Sequence, residues 1–145
     1  MKLEIIKDFN FKESLIKIFT KEIDSKIQKI IDIVEENETT ISAYLESEIE
    51  FLKQENIMRI FIENRKIYIT TTNNKTYSSK QRLYEFENIL SSDFIKISQS
   101  EIVNINFIKK LDFSFSGNIK LIFKNGDTTF VSRRAIKNFK EKLNI

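Results

Sequence analysis

Residues 94–106 read FIKISQSEIVNIN and carry the clearest structural signal in the chain. In its first five residues, Ile95 and Ile97 alternate with Phe94, Lys96 and Ser98, and such alternation is typical of a β-strand. A polar elbow follows at residues 98–101, SQSE, and the chain then returns to largely apolar residues at 102–105. This order predicts a strand, an exposed turn and a buried segment.

Strands are predicted on both sides of this segment, and together they form a mainly antiparallel β architecture. Asn125-Gly126 is a strong signal for a type I′ hairpin turn, because both central residues of that turn need positive φ. Short polar turns, including Asn64-Arg65-Lys66, separate the other strands. The predicted strands are residues 41–45, 49–52, 57–63, 67–72, 76–77, 108–115, 119–123 and 128–131.

Two short helices are predicted at the corners of this sheet structure. Ser78-Ser79 would cap a helix that runs through Leu90, and Ser132 would cap a last helix. Each helix has an apolar stripe at helical spacing, which predicts the side that packs on the core. The stripes are Leu83, Phe86, Ile89 and Leu90 in the first helix and Ala135, Ile136, Phe139 and Leu143 in the last.

The first forty residues are predicted to form a small βα extension. Residues 2–7 alternate weakly and predict a short strand, and Thr20 would cap an amphipathic helix that ends near Glu36-Asn37. This helix could lie on the neighbouring sheet or form a dimer contact. Phenylalanines and a leucine between strand and helix are predicted to be core residues: Phe9, Phe11, Leu15 and Phe19.

Composition restricts the functional classes. A chain of 145 residues with 41% hydrophobic and 31% charged residues fits one compact domain with a small extension. No run approaches the ~20 apolar residues of a membrane-spanning helix, and the start has no secretion signal, so a cytoplasmic protein is expected. Without cysteine or histidine, and with only two glycines, the chain is predicted to be neither an enzyme nor a metal or cofactor protein.

Charge is distributed unevenly along the chain. Residues 1–50 contain 7 basic and 12 acidic residues, whereas residues 51–145 contain 17 basic and 9 acidic residues. A polyanionic partner would therefore meet the C-terminal part. Basic residues also follow a capping serine at two predicted helix starts, Ser79-Lys80 and Ser132-Arg133-Arg134, which suggests phosphate contacts. The alternative is that these long side chains simply extend into solvent.

Two motifs together resemble the LytTR family of DNA-binding domains. The first is Phe-Ile-Lys-Ile at 94–97 with Ser-Glu-Ile-Val-Asn at 100–104, and the second is Val-Ser-Arg at 131–133, with Ile108 and Gly126 between them. The resemblance covers about residues 41 to 145 and implies a LytTR-type β-sheet domain at 41–145, preceded by the 1–40 extension. Family members often carry a receiver domain, which these forty residues cannot hold, so a stand-alone regulator is expected.

The resemblance implies a DNA-binding site built from loops. It points to Gln99 in the elbow, to Arg133 and Arg134, and to a contact within residues 64–66. Gln can pair with adenine and Arg with guanine in the major groove, whereas Lys suits phosphates. Ser98 stands where many relatives have histidine, which affects the expected sequence preference. The full set of predicted DNA-binding residues is Asn64, Arg65, Lys66, Lys80, Lys96, Ser98, Gln99, Ser100, Ser132, Arg133 and Arg134.

The leading hypothesis is a transcriptional regulator that binds double-stranded DNA at promoter direct repeats, with a homodimer on two half-sites. The resemblance also implies a small membrane protein as regulator, and no small-molecule substrate is expected. The alternative hypothesis is a protein-interaction module in which the N-terminal helix docks a partner and the basic surface is incidental. Single-stranded nucleic-acid binding is disfavoured because most of the aromatic residues fall at core-facing positions.

Overall fold

A computed structural model of the chain describes residues 1–12, 14–35 and 40–145. Strands dominate the described part, as the sequence predicts. The helices are α1 (Ser25–Val34), α2 (Leu83–Ile89) and α3 (Ile136–Leu143). The strands are β1 (Ile41–Leu45), β2 (Glu48–Leu52), β3 (Ile57–Glu63), β4 (Lys66–Thr71), β5 (Thr76–Ser79), β6 (Phe94–Ser98), β7 (Glu101–Asn104), β8 (Ile108–Asp112), β9 (Ile119–Phe123) and β10 (Thr128–Val131).

The strands form two antiparallel sheets. The large sheet has seven strands in the order β2-β1-β5-β4-β3-β7-β6, and the small sheet has three in the order β10-β9-β8. All of the strand pairs are antiparallel, which agrees with the predicted fold class. The segment that dominates the sequence signal becomes β6 and β7, at one side of the large sheet.

Strands β6 and β7 are buried on both faces because the large sheet separates two hydrophobic clusters. Phe94 and Ile102 join the cluster that contains α2, whereas Ile95, Ile97 and Val103 join the cluster that contains the small sheet and α3. Side chains of a strand alternate between faces, so a strand with apolar residues at both parities must be covered on both sides. The predicted apolar stripes of α2 and α3 all belong to these clusters, which confirms that prediction.

Asn104 is a buried polar residue at the end of β7, and only 1% of it is exposed. The side-chain Nδ2 of Asn104 donates to the backbone carbonyl of Ile57 at 3.0 Å. The side-chain Oδ1 of Asn104 accepts from the backbone N–H of Asn106 at 3.0 Å. It therefore joins the start of β3 to the turn after β7. Because Asn104 lies between Val103 and Ile105, the sequence predicts a buried hydrogen-bonding residue that fixes the elbow. It is buried and hydrogen-bonded, but the turn that it holds lies at the opposite end of β7 from the elbow.

The N-terminal extension differs from its prediction. No strand forms at residues 2–7, since nothing in the described ranges pairs with them. The helix begins later, at Ser25, because the carboxylate of Asp24 rather than Thr20 accepts from the N–H of Ile27 at 2.9 Å. The predicted helix end at 36–37 lies outside the described residues. The four residues predicted as core in this region, Phe9, Phe11, Leu15 and Phe19, are each at least 64% exposed, so that prediction is wrong.

Several predicted turns and caps are also wrong in detail. Ser78 and Ser79 belong to β5, and α2 starts instead after Arg82 with no side-chain cap. Ser132 makes no side-chain cap either. At the predicted type I′ turn only Gly126 has positive φ, so Asn125-Gly126 forms a turn of another type. The predicted strand at 108–115 ends at Asp112, where the carboxylate accepts from the N–H of Ser114 at 2.9 Å and turns the chain.

Helix α1 lies beside the β domain, and its residues Lys29, Asp32 and Ile33 line a cavity together with residues of that domain. Ile27 is buried, and the Lys29 ammonium lies 4.0 Å from the Asp93 carboxylate, just before β6. Of the two predicted roles for this helix, packing on the neighbouring domain is the one that the contacts support. None of the helices in the described part is long and apolar enough to cross a membrane.

Asn104 offers a test of how the fold is held. Replacing Asn104 with Ala should lower the free energy of unfolding by about 1–3 kcal/mol, because the buried carbonyl of Ile57 loses its partner and the N–H of Asn106 loses its acceptor. Urea denaturation followed by circular dichroism measures this change. Asn106→Ala is the matched control, because the Asn106 side chain is exposed and its backbone N–H is kept. Equal stability of the two variants would contradict the assigned role.

Candidate nucleic-acid interface

The turn after β3 and the elbow before β7 lie at the same end of the large sheet. β3 and β7 are antiparallel neighbours in which Phe61 lies opposite Glu101. The end of β3 therefore meets the start of β7. The backbone N–H of Ile62 donates to the carbonyl of Ser100 at 2.8 Å, which holds the elbow beside the β3 strand.

The segment after β10 reaches the same elbow from the other side. The backbone N–H of Ser132 donates to the carbonyl of Ile97, in β6, at 2.8 Å. This hydrogen bond links the end of the small sheet to the edge strand of the large one. Arg133 and Arg134 follow directly and are exposed.

Three exposed segments thus meet at one edge of the molecule: residues 64–66, 98–100 and 132–134. We refer to them together as the loop edge. They are joined by two backbone hydrogen bonds, from Ile62 to Ser100 and from Ser132 to Ile97. Sequence reasoning selected these segments from motifs that lie far apart in the chain, and the fold brings them together.

The sequence predicts a type I′ hairpin turn at Asn125-Gly126, whereas the structure forms one at Asn64-Arg65. Both residues have positive φ, at 50° and 64°, and they connect the opposed residues Glu63 and Lys66. Glycine is favoured at the second central position of such a turn, because it has no Cβ to crowd the backbone. Arg65 is therefore held in a conformation that an arginine adopts at a cost, with its side chain exposed.

The elbow is shaped by its two serines. The Ser98 hydroxyl accepts from the backbone N–H of Ser100 at 3.1 Å and lies 3.2 Å from the Ser100 hydroxyl. A hydroxyl that bonds to the backbone two residues later forms a compact turn. Gln99 at its tip is exposed. The serines thus form the turn that presents Gln99.

The predicted lysines fall into two groups. Lys80 follows β5, whose last residue Ser79 lies opposite Ile67, so it lies at the same end of the sheet as the 64–66 turn. Its ammonium lies 4.9 Å from the centre of the Tyr44 ring. Lys96 instead lies 3.5 Å from the Glu87 carboxylate, on the side of the sheet that carries α2. Part of its charge is already compensated there, and it does not belong to the loop edge.

The arginines do not lie in the first turn of α3. Arg133–Ala135 forms a 3₁₀ turn that precedes the helix, and the N–H of Ala135 donates to the Ser132 carbonyl at 3.0 Å. The sequence argument from cations at a helix start is therefore wrong in its geometry. The arginines extend from a tight turn beside the elbow.

A fourth loop, between β8 and β9, also reaches the loop edge. A Cβ placed on Gly117 would lie 3.1 Å from Nε and 3.3 Å from an Nη atom of Arg133. The guanidinium of Arg133 therefore packs against the bare backbone of this loop. Residues 116–118, Ser-Gly-Asn, predict only a hairpin turn, and nothing in the sequence indicates this contact. In the structure Gly117 has a φ of 72°, which glycine adopts without steric cost.

Behind the loop edge, between the two sheets, lies a buried charged cluster. Oε2 of Glu101 lies 3.0 Å from Nε of Arg59, and Oε1 accepts from the Thr129 hydroxyl at 2.8 Å. Burial raises the pKa of the Glu101 carboxyl, while the Arg59 charge and the hydroxyl of Thr129 act against that rise. The sequence analysis treated Glu101 only as part of the polar elbow.

Comparison with known proteins identifies the domain. The family model of the LytTr DNA-binding domain matches residues 47–144, more than half of the chain. A protein of Staphylococcus aureus strain NCTC 8325 / PS 47 is 35% identical over 147 residues, covering 100% of this chain and 99% of that protein. A protein of strain MSSA476 is 34% identical with the same coverage. Both are named as uncharacterized HTH-type transcriptional regulators.

A solved structure shows the same fold. The LytTr DNA-binding domain of a methyl-accepting/DNA response regulator from Bacillus cereus superposes with a TM-score of 0.70 at 24% identity, covering 74% of this chain and 98% of that chain. Strands separate each described helix of the present chain from the next, so a helix-turn-helix is absent from residues 1–12, 14–35 and 40–145. The match of the LytTr model and the similarity over the whole length show that the chain belongs to the LytTR family of DNA-binding domains.

Proposed function

We propose that this protein regulates transcription by binding double-stranded DNA with the loop edge, rather than acting as an enzyme. The observation that supports this proposal most directly is the convergence of residues 64–66, 98–100 and 132–134 at one edge. Exposed arginine and amide side chains on a rigid sheet are suited to base edges and phosphates in the grooves of a duplex. A location in the cytoplasm, with access to promoter direct repeats, is part of this proposal.

Each predicted residue has a proposed role. Arg65, Gln99 and the pair Arg133 and Arg134 carry base and phosphate contacts, because their side chains are exposed at the loop edge. Asn64, Ser98, Ser100 and Ser132 shape the turns and offer hydrogen bonds to the backbone of DNA. Lys66 and Lys80 contribute phosphate contacts. Lys96 contributes least, because Glu87 already neutralises part of its charge.

Residues 1–40 are proposed to join two copies of the chain on adjacent half-sites. The family match begins at residue 47, and the relatives are similar over the whole chain, so this part is an addition to the DNA-binding domain. The large apolar side chains that precede α1 are exposed in the single chain, including Phe9 and Phe19. Burial of such a surface would drive association. A small membrane protein as regulator stays a prediction from the family resemblance.

The contribution of the arginines can be measured by gel shift. Arg133→Ala combined with Arg134→Ala should weaken binding to a genomic duplex selected by the wild-type protein by at least about tenfold, since each lost base contact costs about 1–3 kcal/mol. Lys109→Ala with Lys110→Ala removes the same charge from exposed positions on β8 and serves as control. Equal loss in both variants would show that only total charge matters.

Salt dependence tests the phosphate contacts. If about five phosphates are neutralised, log K should fall with log salt with a slope of about −4 to −5. The double arginine variant should show a shallower slope. A flat salt response of the wild-type protein would contradict the electrostatic part of the proposal.

The Arg65 turn predicts opposite effects on stability and binding. Arg65→Gly should raise the free energy of unfolding by about 1 kcal/mol, because glycine adopts positive φ without crowding. The same change should weaken DNA binding, because the guanidinium is lost. Arg65→Ala is the control: it removes the same group but keeps the backbone cost. A glycine variant that binds DNA as well as wild type would remove Arg65 from the site.

Self-association can be tested by sedimentation without DNA. The chain should sediment as a dimer, and Phe9→Ser with Phe19→Ser should convert it to a monomer, because polar side chains do not gain from burial. Phe113→Ser is the control, since Phe113 is 54% exposed but lies outside the extension. A monomeric wild-type chain would contradict the proposed role of residues 1–40.

A further inference from the structure

Glu101 is a charged residue in a position where the sheets would otherwise be joined by apolar contacts. Only 7% of it is exposed, and it faces the small sheet, beside Val103 of the second hydrophobic cluster. One carboxylate oxygen accepts from Thr129 in β10, and the other lies 3.0 Å from Nε of Arg59 in β3. The contact with Arg59 is an ion pair without a well-directed hydrogen bond. Glu101 therefore links three strands of two sheets.

Arg59 is itself held in place by aromatic rings. The centre of its guanidinium lies 4.4 Å from the Phe61 ring and 5.6 Å from the Phe123 ring, and Phe123 belongs to the small sheet. Cations over ring faces are attracted to them. Because Arg59 contacts both Glu101 and rings from both sheets, the cluster restricts how one sheet can shift across the other.

Each member of the cluster lies a few residues from one segment of the loop edge. Arg59, in β3, precedes the Asn64-Arg65 turn. Glu101 directly follows residues 98–100, and Thr129, in β10, lies three residues before Ser132. A displacement of any one of these strands would change the distance between the segments. Loops that must contact a duplex at the same time tolerate little such displacement.

We propose that Glu101 is a positioning residue for DNA recognition: with Arg59 and Thr129 it fixes the three segments of the loop edge relative to one another. This inference rests on the proposed function of the loop edge and adds a residue that does not itself contact DNA. Apolar packing alone is non-directional and would hold the sheets together without fixing their lateral position.

The chemistry of the cluster favours positioning over simple stabilisation. Replacing a buried ion pair with apolar residues of similar volume is often neutral or stabilising, so such a pair is weak evidence for stability. Burial is the largest influence on the Glu101 carboxyl and raises its pKa. A raised pKa in the folded state means that the contribution of Glu101 to stability is greatest at low pH and is lost as pH rises through that pKa. Ionisation of Glu101 in its buried position therefore lowers the free energy of unfolding.

Few other charged groups surround Glu101, so an effect of its protonation on DNA binding can be measured. Arg59, Glu63 and Asp127 are the charged groups that line the same shallow cavity. The chain contains no histidine or cysteine, so carboxyl groups are the side chains that change charge when a neutral solution is acidified. Protonation of Glu101 would leave Arg59 without its counter-charge while favouring the folded state.

The decisive variant combines Arg59→Met with Glu101→Leu. It removes both charges and fills the space, so the free energy of unfolding in urea should equal or exceed that of the wild type. Specific binding should nevertheless weaken by about tenfold or more. Binding to an unrelated duplex should change little, because phosphate contacts need no exact register of the loops. Thr129→Val is a milder variant, because it removes one hydrogen bond without changing the shape of the side chain. It should also lower the ratio of specific to non-specific affinity.

The pH profile provides an independent readout. In the wild type, the ratio of specific to non-specific affinity should fall as pH is lowered through the pKa of Glu101, which burial raises above its ordinary value, whereas in the double variant it should be flat over the same range. A double variant with wild-type affinity ratio and pH profile would overturn the positioning role while leaving DNA binding intact. A wild-type protein that binds no duplex would instead refute the proposed function itself.

Discussion

The geometry of the whole site depends on how the small sheet is held against the large one. The facing surfaces are mainly apolar, and apolar contact brings sheets together without selecting one lateral position. Directional contacts make that selection. They are the backbone hydrogen bond from Ser132 to Ile97 and the buried cluster around Glu101.

A sheet edge is a suitable place for such a site. Strands are stiff over their length, so loops that leave neighbouring strands at one end inherit a fixed spacing of about 5 Å per strand. The loops themselves can then vary in sequence without loss of the fold. In this chain the neighbouring strands β3, β7 and β6 supply two of the segments, and β10 brings the third to the edge strand from outside the large sheet.

The predictions from the sequence are confirmed where the spacing of apolar residues directly reflects which side chains are buried. The apolar residues at both parities in residues 94–103 reflect strands covered on both faces, and the stripes of α2 and α3 reflect one-sided packing. The two family motifs selected loops that lie far apart in the chain, and alternation alone could not have selected them. Glu101 was missed because a charged residue after two serines looks like part of a solvated turn until the second sheet covers it.

The errors have a common physical cause in that local signals compete with tertiary contacts. Asn125-Gly126 carries the stronger type I′ signal, yet the register of β3 and β4 imposes that turn on Asn64-Arg65 instead. Strand pairing overrides the capping potential of Ser78 and Ser79, which lie in β5. Ser132 precedes a 3₁₀ turn, and its side chain makes no capping hydrogen bond there. The phenylalanines of the extension look like core residues because apolarity alone does not say which molecule will cover them.

The link between Ser132 and Ile97 also closes one side of the large sheet. An edge strand exposes backbone groups that can recruit a strand from another chain. On β6, the Ile97 carbonyl accepts from Ser132 and the Phe94 carbonyl accepts from the ammonium of Lys142 at 2.7 Å, so two of its groups are already occupied. At the opposite side, β2 carries Phe51 with 72% of its surface exposed. Growth of the sheet by a foreign strand, including aggregation, is therefore directed to β2, on the side remote from β6 and the Ser132 segment.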